Sequence, residues 1–185
     1  MYTITPRWWH EVVLPLEGLA HTKDPADSGG ETAFGISRRY QPNWTGWAHV
    51  DAGHDEIALA LAYQWYKARW KHLRCDQFTH EGLALKLFDQ AVLWGAKKAG
   101  LWLQESINAW STQPRANGVR APLIVEDGIV GTNTVIAANE LLKSEAKAAQ
   151  VLMGQSAAVL HLVNDTGERR QFLAGHLIRA GRIYL

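Results

Sequence analysis

The chain has 185 residues, with 19 basic and 18 acidic side chains and a formal net charge of +1. This balance gives no general drive toward nucleic acid or an anionic membrane surface, and the single cysteine, Cys75, excludes an internal disulfide. No stretch approaches the roughly 18 apolar residues of a membrane span, no Gly/Ser or Pro repeat divides the chain, and the start lacks a signal-peptide pattern. The expectation is therefore one compact domain over 1–185, a monomer made in the cytoplasm and without stable membrane association.

The first predicted element is a helix over 7–17, where Trp9, Val12, Val13 and Leu16 recur at three- and four-residue steps and Gly18 marks the end. Glu17 falls in its last turn. The negative end of the helix dipole and neighbouring apolar side chains disfavour the charged form there, so this carboxyl should hold its proton near neutral pH. Asp27 follows the turn-forming Asp24-Pro25 and precedes Ser28-Gly29-Gly30, a polar setting in which it should stay ionised. Thr32 adds a hydroxyl that can hold a water or align the carboxylate. Taken singly, Glu17 reads as a solvated helix end and Asp27 as a turn former. As an ordered set they provide a protonated acid and an ionised carboxylate, the pair that glycosidic cleavage requires. At most a small β-hairpin is expected, near 27–36.

The loop 41–53 carries Trp44 and Trp47, whose rings either stack on sugar faces or pack the loop down. After residue 53 the pattern is helical nearly throughout. A helix over 54–73 places Leu59, Tyr63, Tyr66 and Trp70 on one face with Ile57, Leu61 and Trp65 beside it, which predicts a broadly buried helix. Helices over 80–94 and 97–111 follow. Asp89 lies close to the apolar face of the first and needs a partner, either structural or as a second carboxylate near a groove. Beyond a polar loop at 112–122, Leu123-Ile124-Val125 reads as a short strand, Asp127-Gly128 as a turn, and 132–145, 147–164 and 167–183 as helices. Of the nine tryptophans, Trp65, Trp70, Trp94, Trp102 and Trp110 fall at helical positions expected in the core. The fold class that follows is all-α.

The run Glu17-Gly18-Leu19, then Asp24-Pro25-Ala26-Asp27-Ser28-Gly29-Gly30-Glu31-Thr32-Ala33-Phe34-Gly35-Ile36, resembles the signature of the glycoside hydrolase family 108 muramidases, found in many phage endolysins. The resemblance continues at Tyr66 and Trp70, Phe88-Asp89, Ala91-Val92, Gly95, Leu103-Gln104 and Asp127-Gly128 with Gly131 and Thr134. It departs at Leu19, where the family has a second glycine, at Arg69, where a tyrosine is common, and at Leu93, where an asparagine is common. It implies a lysozyme-like architecture, a catalytic part over about 7–95 with Glu17 as the acid, and a peptidoglycan-binding helical part over about 97–183. The segment DGIVGTNT is also similar to a stretch recurrent in peptidoglycan-binding modules, while a turn followed by a capped helix explains the same residues.

The resulting expectation is an endolysin that hydrolyses the β-1,4 bond between N-acetylmuramic acid and N-acetylglucosamine in peptidoglycan. Glu17, Asp27 and Thr32 form its catalytic set, and a holin delivers it to the wall. No cofactor is implied, and the eight histidines lack a zinc-ligand grouping. The rival readings are a lytic transglycosylase and a non-catalytic wall-binding or phage structural protein.

Overall fold

The computed structural model describes residues 6–17, 21–23, 30–112, 123–141, 149–151, 153, 154, 156 and 173–184. The chain divides into two compact units, Met1–Arg69 and Trp70–Leu185.

In the N-terminal unit the first helix is not uniform. A π-helical stretch, Trp9–Val13, runs into helix α1, Leu14–Glu17, and the Leu14 N–H reaches back five residues to the Trp9 carbonyl. Pro15 accounts for the widened turn, because it has no N–H to give and its ring crowds the carbonyl four residues earlier. Trp9, Val12 and Val13 are buried as the spacing requires, and Trp8 joins them. Strands β1, His21–Lys23, β2, Glu31–Ala33, and β3, Ile36–Ser37, then form one antiparallel sheet in the order β1-β2-β3. The hairpin expected near 27–36 is thus the second half of a three-stranded sheet that begins at His21.

Helix α2, Trp47–Asp51, occupies part of the segment read as a loop. Helix α3, Asp55–His72, follows, and its buried stripe is narrower than the sequence pattern suggests. Ala58, Ala62, Tyr66 and Trp70 are buried at four-residue steps, whereas Ile57 is 49% exposed and Leu59, Leu61 and Trp65 are half-buried. The buried line thus runs through two small alanines, and the larger apolar residues flank it.

The C-terminal unit is built on helix α4, Glu81–Trp94, after a 3₁₀ turn at Cys75–Gln77. Every residue from Leu83 to Gln90 is buried, so this helix is covered on all sides. Burial on every face forces its polar residues to find partners. The Lys86 ammonium donates to the carbonyls of Ala180 at 2.6 Å and Arg182 at 2.9 Å, around the end of the last helix, Leu173–Gly181. Asp89 accepts from the Arg179 Nε at 2.5 Å, and Arg179 Nη2 also donates to the Asp89 carbonyl at 3.2 Å. The partner of Asp89 is therefore a guanidinium from the C-terminal helix, which favours the structural reading of that carboxylate. Cys75 is buried, and desolvation pushes its thiol well above the usual range, as befits an idle side chain.

Helix α5, Ala96–Ser111, packs on α4 and buries Leu103 and Ile107 fully, and Trp102 meets Trp94 edge to face at 6.2 Å. Trp70 and Trp102 are core as expected, while Trp94 and Trp110 are half-buried.

Leu123–Val125 does not form the expected strand. The Asn108 carboxamide instead accepts from the Ile124 N–H and donates to the Ile124 carbonyl, both at 2.9 Å, doing with one side chain what a neighbouring strand would do. Helix α6, Thr132–Leu141, follows. The predicted loop at 112–122 lies outside the described residues apart from Thr112, and so does most of the predicted helix 147–164. Of the predicted helix 167–183, Leu173–Gly181 is present as α7.

The DGIV segment is held from α5. The buried Gln104 side chain donates to the Asp127 carboxylate at 2.9 Å and the Ile129 carbonyl at 3.1 Å, and accepts from the Gly128 N–H at 2.7 Å. Asp127 also accepts from the Ile129 N–H at 2.8 Å. These two bonds, the Gln104 one first, lower its pKa. Gly100 allows this approach, since a Cβ there would sit 2.3 Å from the Gly128 carbonyl oxygen.

Candidate active site

Glu17 is the last residue of α1, so the helix end inferred for the acid is where the backbone places it. Its side chain, and the whole of Asp27, lie outside the described residues. In the chain Asp27 falls between Lys23 and Glu31, which are paired across β1 and β2. Thr32 is the middle residue of β2 and is half-buried, with its hydroxyl donating weakly to the Gly30 carbonyl at 3.5 Å. The register sets Thr22 and Ser37 on either side of it. Directly paired residues share a face, so three hydroxyls form a row across the sheet.

Helix α3 fixes both ends of this arrangement. Trp8 stacks on Tyr63 at 5.4 Å, and Trp9 meets Tyr63 edge to face at 5.1 Å, which seats the helical segment leading to Glu17. Three residues further along α3, the Tyr66 hydroxyl donates to the Phe34 carbonyl at 3.0 Å. Phe34 and Gly35 are the two residues of the β2–β3 turn and have φ of 53° and 75°, the left-handed geometry of a type I′ hairpin. A phenylalanine there is strained, and burial of its ring together with the Tyr66 bond holds it in place.

The sequence reading did not single out Glu31. It binds His21 Nε2 at 2.8 Å and Arg38 Nε at 3.0 Å, and Arg38 also reaches Asp51. The hydrogen bond to Asp51 is the leading cause of the raised Arg38 pKa. Alternation in β1 and β2 was the only available signal for the His21 contact, and nothing local indicates Arg38. Trp44 and Trp47 are both buried and meet edge to face at 5.1 Å, with Phe34 against Trp44 and the Trp47 indole N–H donating to the Gln41 carbonyl at 2.8 Å. Of their two readings, packing the loop down is the one the structure supports. Among the described residues no three His, Cys, Asp or Glu side chains are grouped to hold a metal ion.

In chain order, then, a helix ends on a glutamate and a small antiparallel sheet with a hydroxyl row follows. Residues 10–95 match the family model described as Glycosyl hydrolase 108. The matched segment contains Glu17, Asp27 and Thr32, and its last residue is Gly95, at the end of α4. The chain is also similar in fold to a solved structure described as that of Brucella abortus SagA. That match has 18% identity and a TM-score of 0.56, and it covers 87% of this chain and 85% of the other. At this identity the likeness concerns the fold alone, and the described elements are mostly helices with one small antiparallel sheet, as expected from the sequence. No curated protein matches the chain.

Proposed function

We propose that the chain is a muramidase that hydrolyses the β-1,4 bond between N-acetylmuramic acid and N-acetylglucosamine in bacterial peptidoglycan. The observation that carries this reading is the glycosyl hydrolase 108 match over a segment in which a helix ends on Glu17 and a sheet presents Thr32. Glu17 protonates the glycosidic oxygen as the bond to the leaving sugar breaks. Asp27 remains ionised and either offsets the positive charge developing on the sugar ring or orients the attacking water, with Thr32 supporting that water.

In the same reading the part over about 97–183 holds the wall. The likeness of DGIVGTNT to wall-binding modules supports this, as does the 68% exposure of Ile129 beside the turn clamped by Gln104. The biological role is that of a phage endolysin. No described helix is long and apolar enough to cross a membrane, and passage to the wall falls to a holin.

The test is mass spectrometry of the soluble fragments released from purified peptidoglycan by the wild type and by Glu17→Gln, with circular dichroism to check folding. Reducing muramic acid ends from the wild type alone are expected. Anhydro-muramic ends would replace hydrolysis with transglycosylation, and no fragments from a folded wild type would leave a binding or structural protein.

A further inference from the structure

Burial of Trp44 and Trp47 removes the rings that the sequence offered for sugar stacking, but the same loop displays another set. Residues 40–45, together with Trp65 of α3, line an open cleft of about 400 Å³ in the N-terminal unit. Tyr40 is 62% exposed, Asn43 and Thr45 are exposed, and Trp65 is half-buried. None of the lining side chains is ionisable near neutral pH.

The cleft is preformed. The Gln41 carbonyl accepts from both the Trp44 N–H at 3.1 Å and the Trp47 indole, so the loop is closed from below. The Arg69 guanidinium lies 3.2 Å over the Trp65 ring and restricts its orientation. Burial lowers Arg69 to about 10, which leaves it charged at neutral pH.

Ser37 joins the cleft to the hydroxyl row. It pairs with Thr32 across the sheet, its carbonyl accepts from the Gln41 N–H at 2.9 Å, and its hydroxyl accepts from the Tyr40 N–H at 3.4 Å. A ligand lying along the row would therefore run toward Tyr40.

We propose that this cleft is a saccharide subsite that takes an uncharged N-acetylhexosamine unit, with Tyr40 and Trp65 as ring platforms and Asn43 and Thr45 bonding its hydroxyl and acetamido groups. The chemistry favours a neutral sugar over a nucleotide or an anionic peptide, because aromatic faces suit the apolar face of a pyranose, and amides and hydroxyls suit its rim. The subsite rests on the muramidase reading for its place in the reaction, but its binding can be measured without turnover.

The test is calorimetric titration of the full chain with tri-N-acetylchitotriose, alongside KM and kcat on soluble peptidoglycan. Tyr40→Ala should raise Kd and KM by roughly three- to tenfold with kcat unchanged, while Tyr40→Phe stays within about twofold of the wild type. Asn43→Ala, at an exposed position, should weaken binding in the same direction. If the probe does not bind, or binds the wild type, Tyr40→Ala and Asn43→Ala equally, the subsite is overturned whatever the cleavage result. If binding depends on Tyr40 in a protein that releases no fragments, the subsite stands and the muramidase reading falls.

Discussion

The Tyr66 hydroxyl donates at 3.0 Å to the carbonyl of Phe34, a residue 32 positions earlier that is held at a positive φ in the tightest turn of the sheet. Removing the donor leaves a buried carbonyl without that bond, which costs about 1–3 kcal/mol. Tyr66→Phe should lower the urea midpoint by a corresponding amount. It should also reduce turnover, because the same turn sets the register of Thr32 with Ser37. An unchanged midpoint would mean that the turn is held by its backbone and the Phe34 ring alone.

Thr32 separates a supporting role from a structural one. Thr32→Val keeps the β-branched shape and removes the hydroxyl, whereas Thr32→Ser keeps the hydroxyl. The expected result is a kcat for the valine variant lower by roughly ten- to a hundredfold at unchanged thermal stability, with the serine variant near wild type. Equal activity in all three proteins, measured on soluble peptidoglycan, would remove Thr32 from the catalytic set.

Asp89 and Arg179 form a buried ion pair in the C-terminal unit, with side-chain exposures of 0% and 9%. Truncating one partner strands the other charge, so Arg179→Met should destabilise that unit by about 3–5 kcal/mol. The double variant Asp89→Leu with Arg179→Met should recover much of the loss, since an apolar pair removes both desolvation costs. Denaturant titration of the two variants reads both values.

Lys86 makes stability depend on pH in the alkaline range. Burial, its largest influence, holds the ammonium at about 8, below the ordinary lysine value of about 10.4, so folding favours the neutral amine. That contribution is complete above the unfolded value and is lost as pH falls through 8. Wild-type stability relative to Lys86→Met should therefore rise between about pH 8 and 10.4, by roughly 3 kcal/mol at most. A flat difference across this window in denaturant titrations would show that the carbonyls of Arg179, Ala180 and Arg182, all within reach of the Lys86 amine, keep it charged.

Gly46 supports the loop that forms the cleft. A Cβ built there would lie 2.1 Å from Cζ2 of Trp44, whose ring is confined between Phe34 and Trp47. Gly46→Ala should cost about 1–3 kcal/mol through overpacking, read as a lower melting temperature. It should also weaken chitotriose binding, because Trp44 lines the cleft.

Much of the fold was legible because helical periodicity is local. Trp9, Val12 and Val13 show their buried face in the spacing of apolar residues, and Gly95 marks the end of α4 by its position after Trp94. The candidate site was legible as an ordered motif, with Glu17 at a helix end and Thr32 on a strand. The errors arose where long-range packing overrides local pattern. Trp65 occupies a helical position but is half-buried beside a cleft, and Ile57 is exposed while the buried line of α3 runs along Ala58 and Ala62. Leu123–Val125 has strand composition but pairs with no strand among the described residues, and Asn108 meets its backbone need instead. Pro15 was readable in principle, since its missing N–H accounts for the π-helical stretch before it.

By itself the sequence determined the mostly helical class, the order of the acidic motif and its family likeness, all of which depend on residues close together in the chain. Only the tertiary structure decided which polar groups meet: Tyr66 with Phe34, Asp89 with Arg179, Gln104 with Asp127, and the tryptophans that face solvent or core. Backbone propensity repeats every few residues and can be read along a line. A buried donor or carboxylate must be satisfied by whatever packing brings beside it, and that partner has no fixed distance in sequence.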